Sequence, residues 1–522
     1  MKLFRPQTLV AFFLTGLHYA LSFQSCPLLG VEFPTPTNLS RSSIVQNAAS
    51  TLLATINNAT NTGVINSNAS SFSVEIYTSQ ETTSLFTFHH SSPGSNSSIG
   101  VKTVDSNSIY RLRSISKLFT IYLLLIESGD IHFHEPITNF VPELLAASQA
   151  TSDDDLDYVD WSSVTVGNFA SHMAGIGRDS SLQILTSRPS DFQRSTFLSQ
   201  FPLCVLGRNC TRSEFFSGYL QRHPVFSPAT TPVYSNSAFQ ILGYALENIT
   251  RKSYPKDSSR GVIPGTPESS GWSVDIGDEG PYLLNLPQMR RWMKPLTHTA
   301  DLPFSVGAPW EIYRIQLPST SRVIDLYTKN GGIGVYSSEI VLVPEWDIGI
   351  SILEAGSGSA FGLVFQMIAE IMGPALETAA RQEADAAYSG HYFSSGPKLN
   401  SSITITTDDS LSGLGVTSWI RNGTDMLNTV ALLLVPNPSI RLYSTGLKKL
   451  SDGSSLVSWR AVVDDMDQSN ATSVFPSCTN WGSVDGLMYG TIAVDDFVFT
   501  LGCDGVAKSI EPRVLRSTLN RV

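Results

Sequence analysis

At 522 residues the chain is longer than one ordinary hydrophobic core supports, so two domains are expected. With 42% hydrophobic and 15% charged residues it suits a globular protein with a sizeable core. Its net charge of −11, with no basic cluster to offset it, excludes nucleic acid as the expected partner, because phosphate binding needs concentrated positive charge.

Residues 1–22 read as a signal peptide: Lys2 and Arg5 open it, Leu9 to Leu21 is mostly apolar, and Ala20-Leu-Ser22 offers small residues for cleavage. A secreted, extracellular chain is therefore expected. No other segment reads as long and apolar enough to span a bilayer, so no stable membrane insertion is expected. In that compartment the Asn-x-Ser/Thr sequences at Asn38, Asn58, Asn68, Asn96, Asn209, Asn248, Asn400, Asn422 and Asn470 become glycosylation candidates. The five Cys become disulfide candidates. Cys204 lies near Cys210, Cys478 and Cys503 share one region, and Cys26 is left over; spacing alone leaves other pairings open.

Residues 23 to about 40 are Pro-rich and extended. A helical stretch follows from about 41, then strand-like segments at 72–78 and 84–89. Next comes Ser114-Ile-Ser-Lys117, followed by Leu118, Phe119, Ile121, Tyr122, Leu123, Leu124, Leu125 and Ile126. A helix apolar on every side belongs in a core, and Gly129 ends it. Residues at i and i+3 share a helix face, so the Ser114 hydroxyl and the Lys117 ammonium can meet. A hydroxyl becomes a nucleophile when a neighbouring group takes its proton. A second Ser-x-x-Lys, Ser253-Tyr-Pro-Lys256, is spoiled as a helix by Pro255. His132-Phe-His134-Glu135 has no second ligand group at metal-site spacing, so no metal or other cofactor is expected.

Residues 130–230 read as short helices and long loops. Tyr234-Ser-Asn236 is the only Tyr-x-Asn and enters a helix. Residues 253–280 are rich in Gly, Ser, Asp and Pro. Strands are predicted at 322–328, 333–343 and 347–353, with Lys329-Asn-Gly331, the only Lys-x-Gly, followed by Gly332. A helix at 358–386 follows. After Asp385 the pattern turns to short alternating strands, which suggests a small β-sheet or partial barrel.

The order Ser-x-x-Lys, Tyr-x-Asn, Lys-x-Gly resembles the penicillin-recognising serine hydrolases, in the Tyr version of class C β-lactamases, D-Ala-D-Ala carboxypeptidases and related esterases. Ala170-Ser-His-Met-Ala-Gly175-Ile, the helix after Tyr234, and Lys329 to Leu353 extend the likeness. Gly-Ala-Pro-Trp310-Glu-Ile-Tyr resembles secreted fungal members with an added C-terminal domain. The resemblance implies an α/β (α+β) fold of the β-lactamase/transpeptidase type: a central antiparallel sheet, flanking helices and an all-α lobe. The expected domains are a serine hydrolase domain at 23–384 and a β-rich domain at 385–522.

The resemblance also implies roles. Ser114 would be the nucleophile, Lys117 and Tyr234 a coupled proton-transfer pair, and Lys329 a second cation beside the phenol. Asn236, Asn330, Gly331 and Gly332 would line the substrate, with the N–H groups of Ser114 and Gly332 forming the oxyanion hole. The substrate would be a small-molecule or peptide ester, amide or lactam, and the protein a monomer. Two helices usual between Asn248 and Trp310 read as shortened or lost, and Arg113 stands before the nucleophile where a small residue is common. Three readings remain open at this point: a hydrolase, an acyltransferase or hydrolase tailoring a secondary metabolite, and an inactive relative that binds.

Overall fold

The computed structural model describes residues 26–93, 101–150, 154, 156–178, 211–252, 284–320, 322–333, 335–357, 360–396, 399–451, 453–467 and 478–522. The chain divides into two compact units: residues 35–317 with 323–382, and residues 383–522 with 318–322 and the N-terminal segment up to Pro34.

The first unit is built on an antiparallel eight-stranded sheet. Its strands are β1 (Ser70–Thr78), β2 (Phe86–His90), β3 (Thr297–His298), β4 (Phe304–Val306), β5 (Glu311–Gln316), β6 (Val323–Ile333), β7 (Tyr336–Val343) and β8 (Ile348–Gly356), in the order β2-β1-β8-β7-β6-β5-β4-β3. β6 runs on past residue 328, where the sequence pattern ended it. Gly331 and Gly332 stay in register with Ser338 and Ser337, so the Lys-x-Gly motif lies inside a strand.

The helices are α1 (Ser43–Asn61), α2 (Ser116–Ser128), α3 (Pro142–Ala150), α4 (Val166–Ala170), α5 (Arg212–Tyr219), α6 (Asn236–Thr250), α7 (Leu286–Trp292) and α8 (Ala360–Tyr388), the last crossing into the second unit. In α1 the buried residues Val45, Ala48, Leu52, Ile56 and Ala59 recur every three or four positions, the spacing of one helix face. α2 is buried around most of its circumference, as its sequence requires, and packs with α6 in the core of an all-helical lobe. Capping boxes at Thr165/Asn168, Thr211/Glu214 and Asn285/Gln288 satisfy the first N–H groups of α4, α5 and α7.

The two faces of the sheet are covered differently. On one, Phe365, Ile368, Met372 and Leu376 of α8 meet Ile315, Leu326, Val343 and Ile350 in an apolar seam. On the other, Ile115 and Leu118 pack on Trp310, Ile312 and Tyr327. That second contact seats the start of α2 directly on the centre of the sheet. α8 corrects one expectation: by length and composition it is long and apolar enough to cross a membrane. Here its apolar side, including Val364, Ile368, Met372 and Leu376, is buried within the protein. The Gly-, Ser- and Pro-rich stretch from 253 to 280 lies outside the described residues, as does Ser253-Tyr-Pro-Lys256.

The second unit carries β9 (Gly390–Ser394), β10 (Ser402–Thr406), β11 (Leu414–Arg421), β12 (Thr424–Asp425), α9 (Met426–Leu433), β13 (Pro438–Ser451), β14 (Ser454–Asp465), a small hairpin of β15 (Met488–Tyr489) and β16 (Ile492–Ala493), β17 (Asp496–Gly502), β18 (Ala507–Pro512) and β19 (Leu519–Arg521). The large sheet runs β10-β9-β19-β18-β17-β14-β13-β11-β12, and a further β10–β11 pairing closes it into a ring. Trp459, Tyr392, Phe497 and Phe499 are fully buried, so side chains pack the core of this unit. The disulfide joins Cys26 to Cys478. This overturns the suggested Cys478–Cys503 pair: Cys503 is free and exposed, and Cys26 has the partner that sequence spacing denied it. Asn480 holds the junction by donating to Cys26 O at 2.7 Å, and Asp464 accepts from the Cys26 N–H at 3.3 Å. Cys204 and Cys210 lie outside the described residues.

Candidate active site

Ser114 sits in a 3-10 turn, Arg113–Ile115, that leads straight into α2. The turn is reached through Arg113 at φ 48°, a left-handed conformation that costs a side-chain-bearing residue on the order of 1–2 kcal/mol. It aims the serine hydroxyl away from the helix body and toward the Tyr234 loop.

Lys117 lies one turn on and is buried, and its Nζ is 3.1 Å from Ser114 Oγ. The same nitrogen donates to Asn236 Oδ1 at 2.8 Å. Tyr234 places its hydroxyl 2.6 Å from Ser114 Oγ. Thus Ser114, Lys117, Tyr234 and Asn236, spread over more than a hundred residues of chain, form one hydrogen-bonded cluster. Asn236 is the first residue of α6, whose cap is the Ser235 hydroxyl accepting from Ala238 N at 3.0 Å. The cap fixes where the helix starts, and so where Tyr234 and Asn236 point.

The 170–178 segment cradles this loop. Val233 N donates to His172 O at 2.8 Å, Ser235 Oγ to Gly177 O at 2.8 Å, and Asn236 N to Arg178 O at 2.7 Å. Gly175 has φ +66°, and a Cβ there would lie 2.0 Å from Phe226 O, so this stretch requires glycine. His172 accepts from Ser235 N at its Nδ1, 3.1 Å away, and its ring lies 4.5 Å from that of Tyr234. Burial, with Lys329, Lys117 and Arg178 nearby, lowers its pKa to about 3. His172 is therefore neutral, a structural hydrogen-bonding residue and no general base.

β6 passes across the nucleophile. A Cβ on Gly331 would sit 2.0 Å from Leu112 O and 3.0 Å from Ser114 N. At Gly332 the nearest atom to such a Cβ is Tyr336 O at 3.9 Å, which leaves open space beside the nucleophile turn. Ser338 of β7 ties the turn to the sheet by donating to Leu112 O at 2.9 Å.

Lys329 is fully buried, with Nζ 5.4 Å from the centre of the Tyr234 ring. It is paired with Glu311 Oε1 at 2.6 Å and donates to Asn330 O at 3.0 Å. Asn330 turns its side chain to Glu311 Oε2 at 2.9 Å. Glu311, which the β5–β6 register sets opposite Thr328, stands in none of the sequence motifs. Nor does Arg178, whose guanidinium lies 4.6 Å from the Tyr234 ring centre. The third such residue is Glu339, a buried carboxyl whose pKa is raised to about 8 by burial and by Glu311, against the pull of Lys329 and Thr328. Glu311 directly follows Trp310 and Arg178 lies three residues after Gly175. Both adjoin recognised stretches, and only strand register and loop packing bring them to the site.

Burial raises the Tyr234 pKa above its ordinary value; the Ser114 hydrogen bond opposes this, Glu311 adds to it, and Arg178 and Arg113 also oppose it. Among the described residues no three His, Cys, Asp or Glu side chains are grouped to hold a metal. His132 Nδ1 pairs instead with Glu135 Oε1 at 2.7 Å.

Residues 85–263 match the family described as "Beta-lactamase", and residues 380–522 match one described as "Beta-lactamase-like-like, C-terminal domain". The "Beta-lactamase-like protein" of Arthroderma benhamiae is 28% identical, over 95% of this chain and 96% of its own length. The "Probable hydrolase M10" of a Phoma species is 24% identical, over 68% of this chain and 66% of its own length. A solved class C β-lactamase shares 14% identity, covering 62% of this chain and 96% of its own, with a TM-score of 0.44. Residues 85–263 are thus similar to β-lactamases and residues 380–522 to the C-terminal domain of β-lactamase-like proteins, and a relative of that description aligns over nearly the whole chain.

Proposed function

We propose that the protein is a secreted hydrolase that opens an ester, amide or lactam through an acyl-enzyme on Ser114. The observation that carries this reading is the close cluster at Ser114 Oγ, with the Tyr234 hydroxyl at 2.6 Å and Lys117 Nζ at 3.1 Å. Lys117 in its amine form takes the serine proton as Oγ bonds to the acyl carbon. The oxyanion forms at the N-terminus of a helix, against the N–H groups of Ser114 and Gly332. Burial keeps the proton on Tyr234 at neutral pH. Its hydroxyl gives that proton to the departing oxygen or nitrogen and regains one from Lys117. Water then attacks the acyl-enzyme by the same route in reverse. Asn236 holds Lys117 in place, and Gly331 lets β6 approach the nucleophile.

Intact-mass spectrometry after exposure to a fluorophosphonate, activated esters and β-lactams tests the reading. One adduct per chain is expected, mapping to Ser114 and lost in Ser114→Ala with the fold intact. An adduct that persists in that variant ends the proposal. Tyr234→Phe keeps the ring and removes only the hydroxyl, so turnover should fall by about 100-fold or more while thermal stability stays nearly unchanged.

Secretion is supported by the disulfide and by the exposed positions of Asn38, Asn58, Asn68, Asn400 and Asn422. An N-glycanase should therefore lower the apparent mass of the native protein. Full-length, unglycosylated chain recovered from the cytosol would contradict this.

A further inference from the structure

The sequence pattern assigned Lys329 as the second cation beside the Tyr234 phenol. The structure gives that ammonium another partner. Lys329 is fully buried, ion-paired to Glu311 at 2.6 Å, and directed onto Asn330 O. A carboxylate at that distance largely cancels its field at the tyrosine. Meanwhile the guanidinium of Arg178 lies 4.6 Å from the Tyr234 ring centre, closer than Lys117 Nζ at 5.0 Å or Lys329 Nζ at 5.4 Å.

We propose that Arg178 is a positioning residue of this reaction, its guanidinium replacing the neutralised Lys329 as the cation that stabilises negative charge on the Tyr234 oxygen while the phenol protonates the leaving group. The inference rests on the Ser114 acyl-enzyme reading above. In the step concerned, the serine O–H proton goes to the Lys117 amine and the Oγ–acyl bond forms. As the bond to the leaving oxygen breaks, its electron pair takes the Tyr234 proton. The phenolate left behind is reprotonated by the Lys117 ammonium. Charge on the tyrosine oxygen is thus transient and greatest when the leaving group is poor, and a nearby cation lowers its cost there.

The surroundings of Tyr234 leave this task to few groups. His172 lies against the ring, tilted by 31°, but is neutral. Lys117 is engaged with Ser114 and Asn236. Glu311 opposes charge on the phenol, and Arg178 and Arg113 favour it. Arg113 and Arg178 are both exposed, but Arg113 lies on the strained turn before the nucleophile, whereas Arg178 lies over the Tyr234 ring and its backbone is tied to the loop it serves. Its carbonyl accepts from the N–H groups of Asn236 and Ser237, at 2.7 and 3.2 Å, so its backbone is part of the start of α6. That backbone role survives replacement of the side chain, which makes the side chain testable by itself.

The test is the rate of Ser114 acylation by 4-nitrophenyl acetate, with a good leaving group, and by 4-methoxyphenyl acetate, with a poor one. Arg178→Met should slow the second by about 10-fold or more and the first by less than about 3-fold. Arg178→Lys should restore most of the loss, because it returns the charge. In the Tyr234→Phe background, Arg178→Met should add no further leaving-group sensitivity, since there is no phenol left to assist. Glu311→Gln combined with Arg178→Met should recover activity toward the poor leaving group, by returning Lys329 to the role the sequence suggested. Equal loss on both esters, or an undiminished effect in the Tyr234→Phe background, overturns the role of Arg178 while leaving Ser114 and Tyr234 in place. Unaltered acylation in Tyr234→Phe itself overturns the underlying reading instead, and with it this proposal.

Discussion

Two buried residues beside the site hold their protonation states against water. Glu339 keeps its proton to about pH 8, while an unfolded glutamate loses it near 4.5. Its contribution to stability is therefore full below 4.5 and is lost as pH rises through 8. At about 1.4 kcal/mol per pKa unit, the upper bound of the loss is on the order of 5 kcal/mol. Glu339→Gln keeps the shape and removes the titration, so above pH 6.5, where His172 no longer contributes, the melting temperature of the variant should fall less steeply toward pH 8 than that of the native protein. Equal slopes would show that the carboxyl titrates normally. His172 acts with the opposite sign. The fold keeps it neutral down to about pH 3, whereas the unfolded chain protonates it near 6.5, so stability falls as pH drops through that window. His172→Asn retains an acceptor for Ser235 N and tolerates the left-handed φ of 62°, and it should remove part of the acid slope in a series of thermal melts.

At the scale of elements, the site is a meeting of one helix start, one loop and one strand. The 3-10 turn before α2 brings Ser114 and α2 itself Lys117, the start of α6 brings Tyr234 and Asn236, and β6 closes the far side. The approach of β6 is so close that a methyl group at Gly331 overlaps the Leu112 carbonyl, 2.0 Å away. Gly331→Ala should therefore push β6 off the nucleophile turn. A displacement of about 1 Å is worth about 100-fold in rate, so fluorophosphonate labelling of Ser114 should slow by at least that factor while circular dichroism is unchanged. Gly332→Ala meets nothing closer than 3.9 Å and should leave the protein's own packing intact. Any loss there would come from crowding the substrate, and would grow with acyl size in a set of esters.

For the whole molecule, the Cys26–Cys478 bond spans 452 residues and ties the N-terminal segment to the unit formed by residues 383–522. Closing so long a loop restricts the unfolded chain, and removing such a link costs about 2–5 kcal/mol. Cys478→Ser should lower the denaturant midpoint of that unit accordingly. Ser114 labelling should persist under native conditions, because Ser114, Lys117, Tyr234 and Lys329 all lie in the other unit. Loss of labelling in folded Cys478→Ser protein would reject that independence.

The sequence by itself determined the three motifs, the buried character of α2, the strand alternation of β6 to β8 and the β-rich pattern after Asp385, though not the length of β13 and β14 there. These are local properties: side-chain period and motif order can be read without knowing what packs on what. It also named Ser114, Lys117, Tyr234 and Asn236, which the fold gathers around one oxygen. Tertiary structure decided the rest. That Lys329 faces a carboxylate depends on the β5–β6 register, which sets Glu311 beside it from eighteen residues away. That Arg178 lies over Tyr234 depends on two loops joined by backbone hydrogen bonds, which no period announces. Closure of the second sheet through β10–β11 and the pairing of Cys26 with Cys478 are likewise long-range, since a chain of alternating strands fits many registers and five cysteines fit many pairings. The sequence names the groups that carry the chemistry; their electrostatic neighbours are set by contacts between segments far apart in the chain, and only packing chooses among those.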